Sequence, residues 1–233
     1  MSLAIRSYEK ELLDKDDIPF SDILGTMQEL NVINTFLGGH SITRDGIDYF
    51  LDNAPHDKPL TIAEIGCGGG DNLAAIHKFM DKINWPASLI GIDIKQECIQ
   101  FAKQHEVTPV DWICSDYRKV IWPAQKPDII FSSLFCHHFT DEQLIEQLKW
   151  LKENTRMGFF INDLHRNAIA YHSIKLITRL FSKSALVKND GPLSVKRAFR
   201  KADWVRLLKA AGIQHYTIKW KWAFRYLICV PNE

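Results

Sequence analysis

Two groups of residues in this chain have the types and spacing to do chemistry. The first is the stretch T-I-A-E-I-G-C-G-G-G-D-N-L over residues 61–73, where Glu64 precedes Gly66, Gly68 and Gly70 and Asp71 follows them. Glycine takes φ > 0 freely and lets the main chain approach a ligand with no Cβ in the way. The three glycines therefore predict a tight strand-to-helix turn with a ligand against it. Asp93, followed by Ile94, lies 23 residues beyond Gly70, where a carboxylate accepts hydrogen bonds from both hydroxyls of a ribose. The second group is His137, His138, Asp163 and His165, at the ends of two later apolar runs. An imidazole with an unperturbed pKa of about 6.5 suits proton removal near neutral pH, and Asp163 can orient it. For each histidine singly, a structural imidazole is an open alternative; position favours His137 and His165. Arg166 has two open roles, holding an acidic substrate group or pairing with Asp163.

The glycine spacing separates cofactors. A dinucleotide turn needs G-x-G-x-x-G, whereas this one reads G-x-G-x-G and puts Asp71 at the sixth position. A carboxylate there faces a pyrophosphate with like charge at the helix end that should attract it, which disfavours NAD.

Apolar periodicity supplies the elements that hold these residues. Residues 60–65, 88–93, 110–115, 128–133 and 158–163 read as core strands, with helices over about 71–83, 95–104 and 141–152 between them. That alternation predicts an α/β fold with a doubly wound, mostly parallel seven-stranded sheet, completed by an antiparallel pair at 213–220 and 224–230. Two helices precede the sheet, the first capped by Ser21 and stopped at Gly38-Gly39, the second ended by Pro55. We read 1–58 as an N-terminal helical cap and 59–233 as the main domain, one structural unit. A helix over 166–182 and a polar loop around Gly191-Pro192 form a helical lid insertion at about 165–200, over the carboxyl edge of the sheet. The stripe Tyr171, Ile174, Leu176, Ile177, Leu180 and Phe181 then caps an apolar pocket, or is simply core.

At 233 residues and 46% hydrophobic, the chain fits one soluble domain. No apolar run reaches a membrane span, and residues 1–18 are too polar for a signal peptide, so a cytoplasmic protein off the membrane is expected. Five scattered cysteines without C-x-x-C spacing point to buried thiols, with neither disulfide nor metal site. A net charge of +1 gives no argument for nucleic acid. Residues 183–225 nevertheless carry eleven Lys and Arg against Asp190 and Asp203, leaving open a basic face for RNA or an acidic protein.

Taken together, E-I-G-C-G-G-G over 64–70, Asp93, S-D-Y over 115–117 and D-I-I-F-S-S-L-F-C-H-H-F over 128–139 resemble the class I S-adenosylmethionine-dependent methyltransferases. The likeness covers about 61–163. It implies the Rossmann-like methyltransferase fold, S-adenosyl-L-methionine as cofactor, and cofactor contacts from Glu64, Gly66, Gly68, Gly70, Asp93, Ile94, Asp116, Tyr117 and Ser133. The segment after the fourth strand is similar to small-molecule enzymes of quinone and polyketide pathways. It lacks the Pro-Pro-Tyr of nucleobase amino-methylating relatives and the Gly-x-Arg-Asn of quinone C-methylating ones. L-N-x-I-N-x-x-L-G-G from Leu30 and D-G-P-L-S-V-x-R-A-F from Asp190 are similar to bacterial secondary-metabolism methyltransferases. The expected reaction is methyl transfer to a hydroxyl oxygen of a small hydrophobic or aromatic molecule, with His137, His165 and Asp163 catalytic. C-methylation and RNA or protein methylation are the alternatives. A monomer or homodimer is expected.

Overall fold

The computed structural model describes residues 3–15, 18–52, 54, 58–105, 109–122 and 125–232. Five parallel strands, β1 (Leu60–Ile65), β2 (Ala87–Asp93), β3 (Val110–Cys114), β4 (Ile129–Ser133) and β5 (Gly158–Leu164), are joined by two further strands, β6 (Thr217–Lys221) and β7 (Arg225–Pro231). The order across the sheet is β3-β2-β1-β4-β5-β7-β6, with β7 antiparallel to both its neighbours. The central strands are apolar over most of their length because both of their faces are covered, with polar residues gathered toward their carboxyl ends. In β1, Ile62 packs on one side while Ala63 and Ile65 pack on the other; in β5, Phe160 and Phe159 divide the same way.

One face carries α2 (Gly39–Leu51) and α3 (Asp71–Lys82), with α4 (Gln96–Gln104) toward the β3 edge, and their Ile42, Ile47, Phe50, Leu73, Ile76 and Ile99 seal it. The other face carries α5 (Asp141–Asn154) and α8 (Lys201–Ala210) through Leu144, Leu148, Trp204 and Leu207. Thr140 caps α5 and Gln143 returns a bond to the Thr140 amide, so the polar T-D-E-Q run is what starts that helix. Above the carboxyl ends of the strands lie α1 (Phe20–Phe36), α6 (Ala168–Phe181) and α7 (Ala185–Arg197).

The structure departs from the sequence reading in several places. Pro19, not Ser21, stands at the cap of α1; its ring presets φ near the helical value, which lets the helix start two residues earlier. Gly38, at φ +73, separates α1 from α2 as expected; Pro55 falls outside the described residues. The polar loop around Gly191-Pro192 is instead the middle of α7. Pro192 cannot donate to the preceding turn, and the helix is held from outside. The Asp190 carboxylate accepts the Leu12 and Leu13 amides at 2.8 and 2.9 Å, while Gly191 lets α6 approach through Thr178 and Ile174. Of the cysteines, Cys114 is exposed and the other four are buried; all are free. Among the described residues, no helix is long and apolar enough to cross a membrane.

Residues 3–15 form a strap over this end of the molecule. Ser7 donates to the Lys196 carbonyl of α7, Arg6 donates to the carbonyls of Arg197 and Phe139 at 2.6 and 2.8 Å, and Lys95 donates to the Leu13 carbonyl at 2.6 Å.

Candidate active site

The strand ends, α1, α6, α7 and the strap enclose one cavity of about 2170 Å³, roughly twice the upper range for a single small ligand. The glycine turn forms part of its wall. The Gly66 and Cys67 amides donate to the Ile92 carbonyl at 2.8 and 3.1 Å, which locks β1 to β2. Gly66, Gly68 and Gly70 all have φ between +51 and +78, the conformations that glycine alone takes without strain. A Cβ on Gly66 would stand 2.6 Å from Phe135 Cγ, so the ring behind it also requires glycine.

Around this turn the carboxylates behave differently. Asp93 accepts from the amides of Gly68 and Lys95, both at 2.9 Å; burial raises its pKa, with those donors pulling the other way. Glu64 is fully buried, accepts from Asn72 at 3.1 Å through one oxygen only, and leaves Oε2 with no partner. Burial, reinforced by Asp71, pushes its carboxyl well above the usual range. Asp71, at the first turn of α3, meets His40 Nε2 at 2.7 Å and Asn34 Nδ2 at 2.9 Å. Burial works against its charge, but these two donors outweigh burial and hold its pKa low.

The residues named from sequence as cofactor contacts, Glu64, Gly66, Gly68, Gly70, Asp93, Ile94, Asp116, Tyr117 and Ser133, all line the cavity. Ile94 is exposed there. Asp116 is bound by the Arg118 guanidinium at 2.5 Å, which lowers its pKa. The Tyr117 ring packs edge-on against Trp150, and Ser133 Oγ accepts from Asn162 at 3.3 Å. An unpaired buried acceptor on Glu64, a carboxylate on Asp93 and a turn with no Cβ against the cavity fit a nucleoside attached to a cationic amino-acid chain.

The second cluster lies on the same cavity. Leu134, at φ +54, turns the chain out of β4 into a 3-10 turn over Cys136–His138. His137 Nδ1 lies 2.8 Å from Asp163 Oδ1, and its backbone amide donates to the other oxygen at 3.2 Å. Burial opposes the Asp163 charge, but His137 outweighs it and keeps the carboxyl low. His138 Nδ1 lies 2.9 Å from Asp14 Oδ1. The strap places Glu11 between the two rings, 3.6 Å from His137 Nε2 and 3.8 Å from His138 Nε2; burial raises the Glu11 pKa. Ser194 donates to Glu11 at 2.8 Å. Glu11, His137 and His138 present donor atoms within 4.8 Å of one another, a set of types that suits a transition metal. Arg197, 3.8 Å from Glu11, already brings positive charge there.

His165 does not join this cluster. Its ring packs on Tyr226, its Nδ1 accepts from Trp220, and it does not line the cavity. Strand alternation explains this: Asp163 turns to the His137 side, Leu164 to the cavity, and at His165 the chain leaves the sheet to bridge Phe199. Arg166 serves neither of its expected partners; it is buried against Asp203 at 3.0 Å and donates to the Ala198 carbonyl at 2.5 Å. Glu11 and Asp14 escaped the sequence reading because nothing in K-E-L-L-D distinguishes them from a solvated charge run. On α6, Ile174 and Ile177 line the cavity, while Leu176, Leu180 and Phe181 are exposed. Within the basic stretch, Arg197 and Arg225 are buried, Arg206 pairs with Asp141, and Lys221 pairs with Asp45. Two of its eleven cations are thus buried and two more are paired with carboxylates.

Residues 62–158 match a family described as a methyltransferase domain. Phosphoethanolamine N-methyltransferase 3 of Arabidopsis thaliana is 30% identical over 120 residues, 49% of this chain and 23% of that protein. Trans-aconitate 2-methyltransferase of Azoarcus sp. (strain BH72) is 32% identical over 93 residues, 39% of this chain and 34% of that protein. The matched stretch thus spans about a third or less of these relatives. The plantazolicin methyltransferase BpumL, crystallised with a monoazolic desmethylPZN analog and SAH, has a similar fold. Its TM-score is 0.66 at 20% identity, covering 89% of this chain and 90% of that one.

Proposed function

We propose that this chain, a class I S-adenosylmethionine-dependent methyltransferase by its fold and its matched domain, transfers a methyl group to a hydroxyl oxygen of a small hydrophobic or aromatic molecule. When bound, S-adenosylmethionine supplies a methyl group made electrophilic by the adjacent sulfonium. Glu64 and the glycine turn receive its amino-acid portion, Asp93 the ribose, and Asp116 with Tyr117 the adenine end.

The observation that carries the oxygen assignment is the buried His137 on the cavity wall, paired behind it with Asp163. A neutral hydroxyl must lose its proton as it attacks, and a positioned imidazole removes it. Asp163 holds the Nδ1 proton, which leaves Nε2 as the acceptor, with Glu11 beside it to share the charge. His165 has no place in this step. Ile23, Met27, Leu30, Ile174, Ile177 and Val187 supply an apolar wall for the acceptor, and α6 with α7 act as a lid over it.

The test is methyl transfer from isotopically labelled donor to a panel of phenols, hydroxybenzoates and hydrophobic alcohols, with products identified by mass spectrometry. Methyl ethers are expected. Methyl esters, carbon-methylated products, or transfer only to RNA or protein, overturn the assignment.

A further inference from the structure

Arg225 opens β7 directly opposite Leu164 of β5. Its side chain therefore leaves the sheet on the face that carries Asn162 and Glu64, away from His137. It is 2% exposed, yet it contributes to the cavity wall. Its Nε and Nη1 have no hydrogen-bond partner among the described residues. Asp163 and Asp71 act on it through space, and burial pulls its pKa down to about 10, which leaves it a cation at neutral pH. A buried guanidinium without a paired anion is costly, and here its donors face a ligand cavity.

Its surroundings narrow the complement. A Cβ on Gly39 would lie 2.8 Å from Arg225 Nη1 and closer still to Asn34 Oδ1, so the lack of a side chain on Gly39 is what brings these two groups together. Asn34 gives its Nδ2 to Asp71, and its Oδ1 has no partner. Glu64 Oε2, also without one, belongs to the same face through a chain of hydrogen bonds. Asn72 donates to Glu64, Thr43 donates to Asn72, and Asn162 donates to Thr43 at 3.1, 2.9 and 3.3 Å. Unused donors on a cation beside unused acceptors form the complement of a carboxylate next to an ammonium.

We propose that Arg225, with Asn34 beside it, is the receptor for a carboxylate on a ligand bound in this cavity. The carboxylate has two sources, the amino-acid end of the cofactor or an acid group on the methyl acceptor. The proposal rests on the methyl-transfer reading for the naming of both sources, and not for the carboxylate itself.

The test begins with unmodified protein, by calorimetric titration of S-adenosylhomocysteine and of its decarboxylated analogue. If the cofactor supplies the carboxylate, S-adenosylhomocysteine binds roughly 10- to 100-fold tighter, the range for charge-assisted hydrogen bonds. Arg225→Met then removes the difference and Arg225→Lys restores part of it. If the acceptor supplies it, the two nucleosides bind alike. In that case benzoate, 4-hydroxybenzoate and 4-hydroxycinnamate, titrated into the S-adenosylhomocysteine complex, bind tighter than their primary amides, and Arg225→Met abolishes that preference. No preference for a carboxylate in either arm overturns the assignment while leaving methyl transfer intact. Failure of both nucleosides to bind overturns the methyl-transfer reading and the cofactor arm, and the aromatic acids alone then decide on Arg225.

Discussion

His137 Nδ1 and Asp163 Oδ1 stand 2.8 Å apart although they come from different strand ends, and both residues are almost entirely buried. The Asp163 carboxylate is held three ways, by the His137 ring, the His137 amide and the Leu164 amide. Such a group fixes the imidazole's orientation more than it takes part in proton exchange. We expect His137→Ala to lower kcat by about 10²-fold or more, the usual scale of acid-base catalysis, with S-adenosylhomocysteine affinity within a few-fold of normal. His165→Ala should change little, since that ring faces Tyr226 and Trp220. Steady-state release of S-adenosylhomocysteine with the acceptor from the panel measures both. Equal losses, or none, would remove His137 from the role of base.

Glu64 predicts a pH effect of definite sign. Its folded pKa is raised by burial, so the folded protein holds that proton more tightly than the unfolded chain. Stability from this position is full below the ordinary carboxylate value and falls as pH rises through the raised one. Glu64→Gln removes that slope. We expect a higher melting temperature for the cofactor-free variant at pH 7, by roughly 2 to 4 °C per kcal/mol recovered, and weaker S-adenosylhomocysteine binding. Thermal melts from pH 4 to 8 check it; parallel pH profiles for the two proteins would show that Glu64 is charged in the free state.

Two glycines of the same turn should respond unequally. At Gly66 an added methyl meets both a φ of +67 and the Phe135 ring at 2.6 Å. At Gly68 the nearest obstacle is Met27 Sδ at 3.6 Å, which leaves only the left-handed backbone term, about 1 to 2 kcal/mol. Gly66→Ala should therefore lose more stability and more S-adenosylhomocysteine affinity than Gly68→Ala. Denaturant titration and calorimetry of the two variants give the comparison. The reverse order would mean that Phe135 yields freely.

Most of the sheet was legible because buried parallel strands announce themselves as short apolar runs between helical repeats. The glycine turn was legible because its glycines answer a backbone demand that no other residue meets without strain. What stayed hidden depends on long-range contact. Glu11 is 126 residues from His137, and Arg225 and Asn34 meet only after the sheet has closed. The α7 helix runs through a Gly-Pro pair because Asp190 is engaged by the strap. His137 and His165 read alike in sequence, because strand position gives the residue but not the side of the sheet it faces once the strand has ended; the structure puts His137 on the cavity and His165 against Tyr226.

The strap offers the last test, because a single α7 side chain accepts two of its backbone amides. Asp190 accepts the Leu12 and Leu13 amides, immediately beside Glu11 and Asp14, which in turn face His137 and His138. Asp190→Ala leaves both amides without acceptors, while Arg6 and Arg197 still tie the strap at its other end. We expect hydrogen-exchange protection of residues 12 and 13 to be lost with little change elsewhere. The acceptor KM should rise several-fold because Glu11 and Asp14 lose their fixed position at the cavity. The chemical step, set by His137 and Asp163, should slow much less than in His137→Ala. Retained protection at 12 and 13 would mean that Arg6 and Arg197 alone carry the strap, and an equal fall in kcat would give Glu11 a direct part in proton transfer.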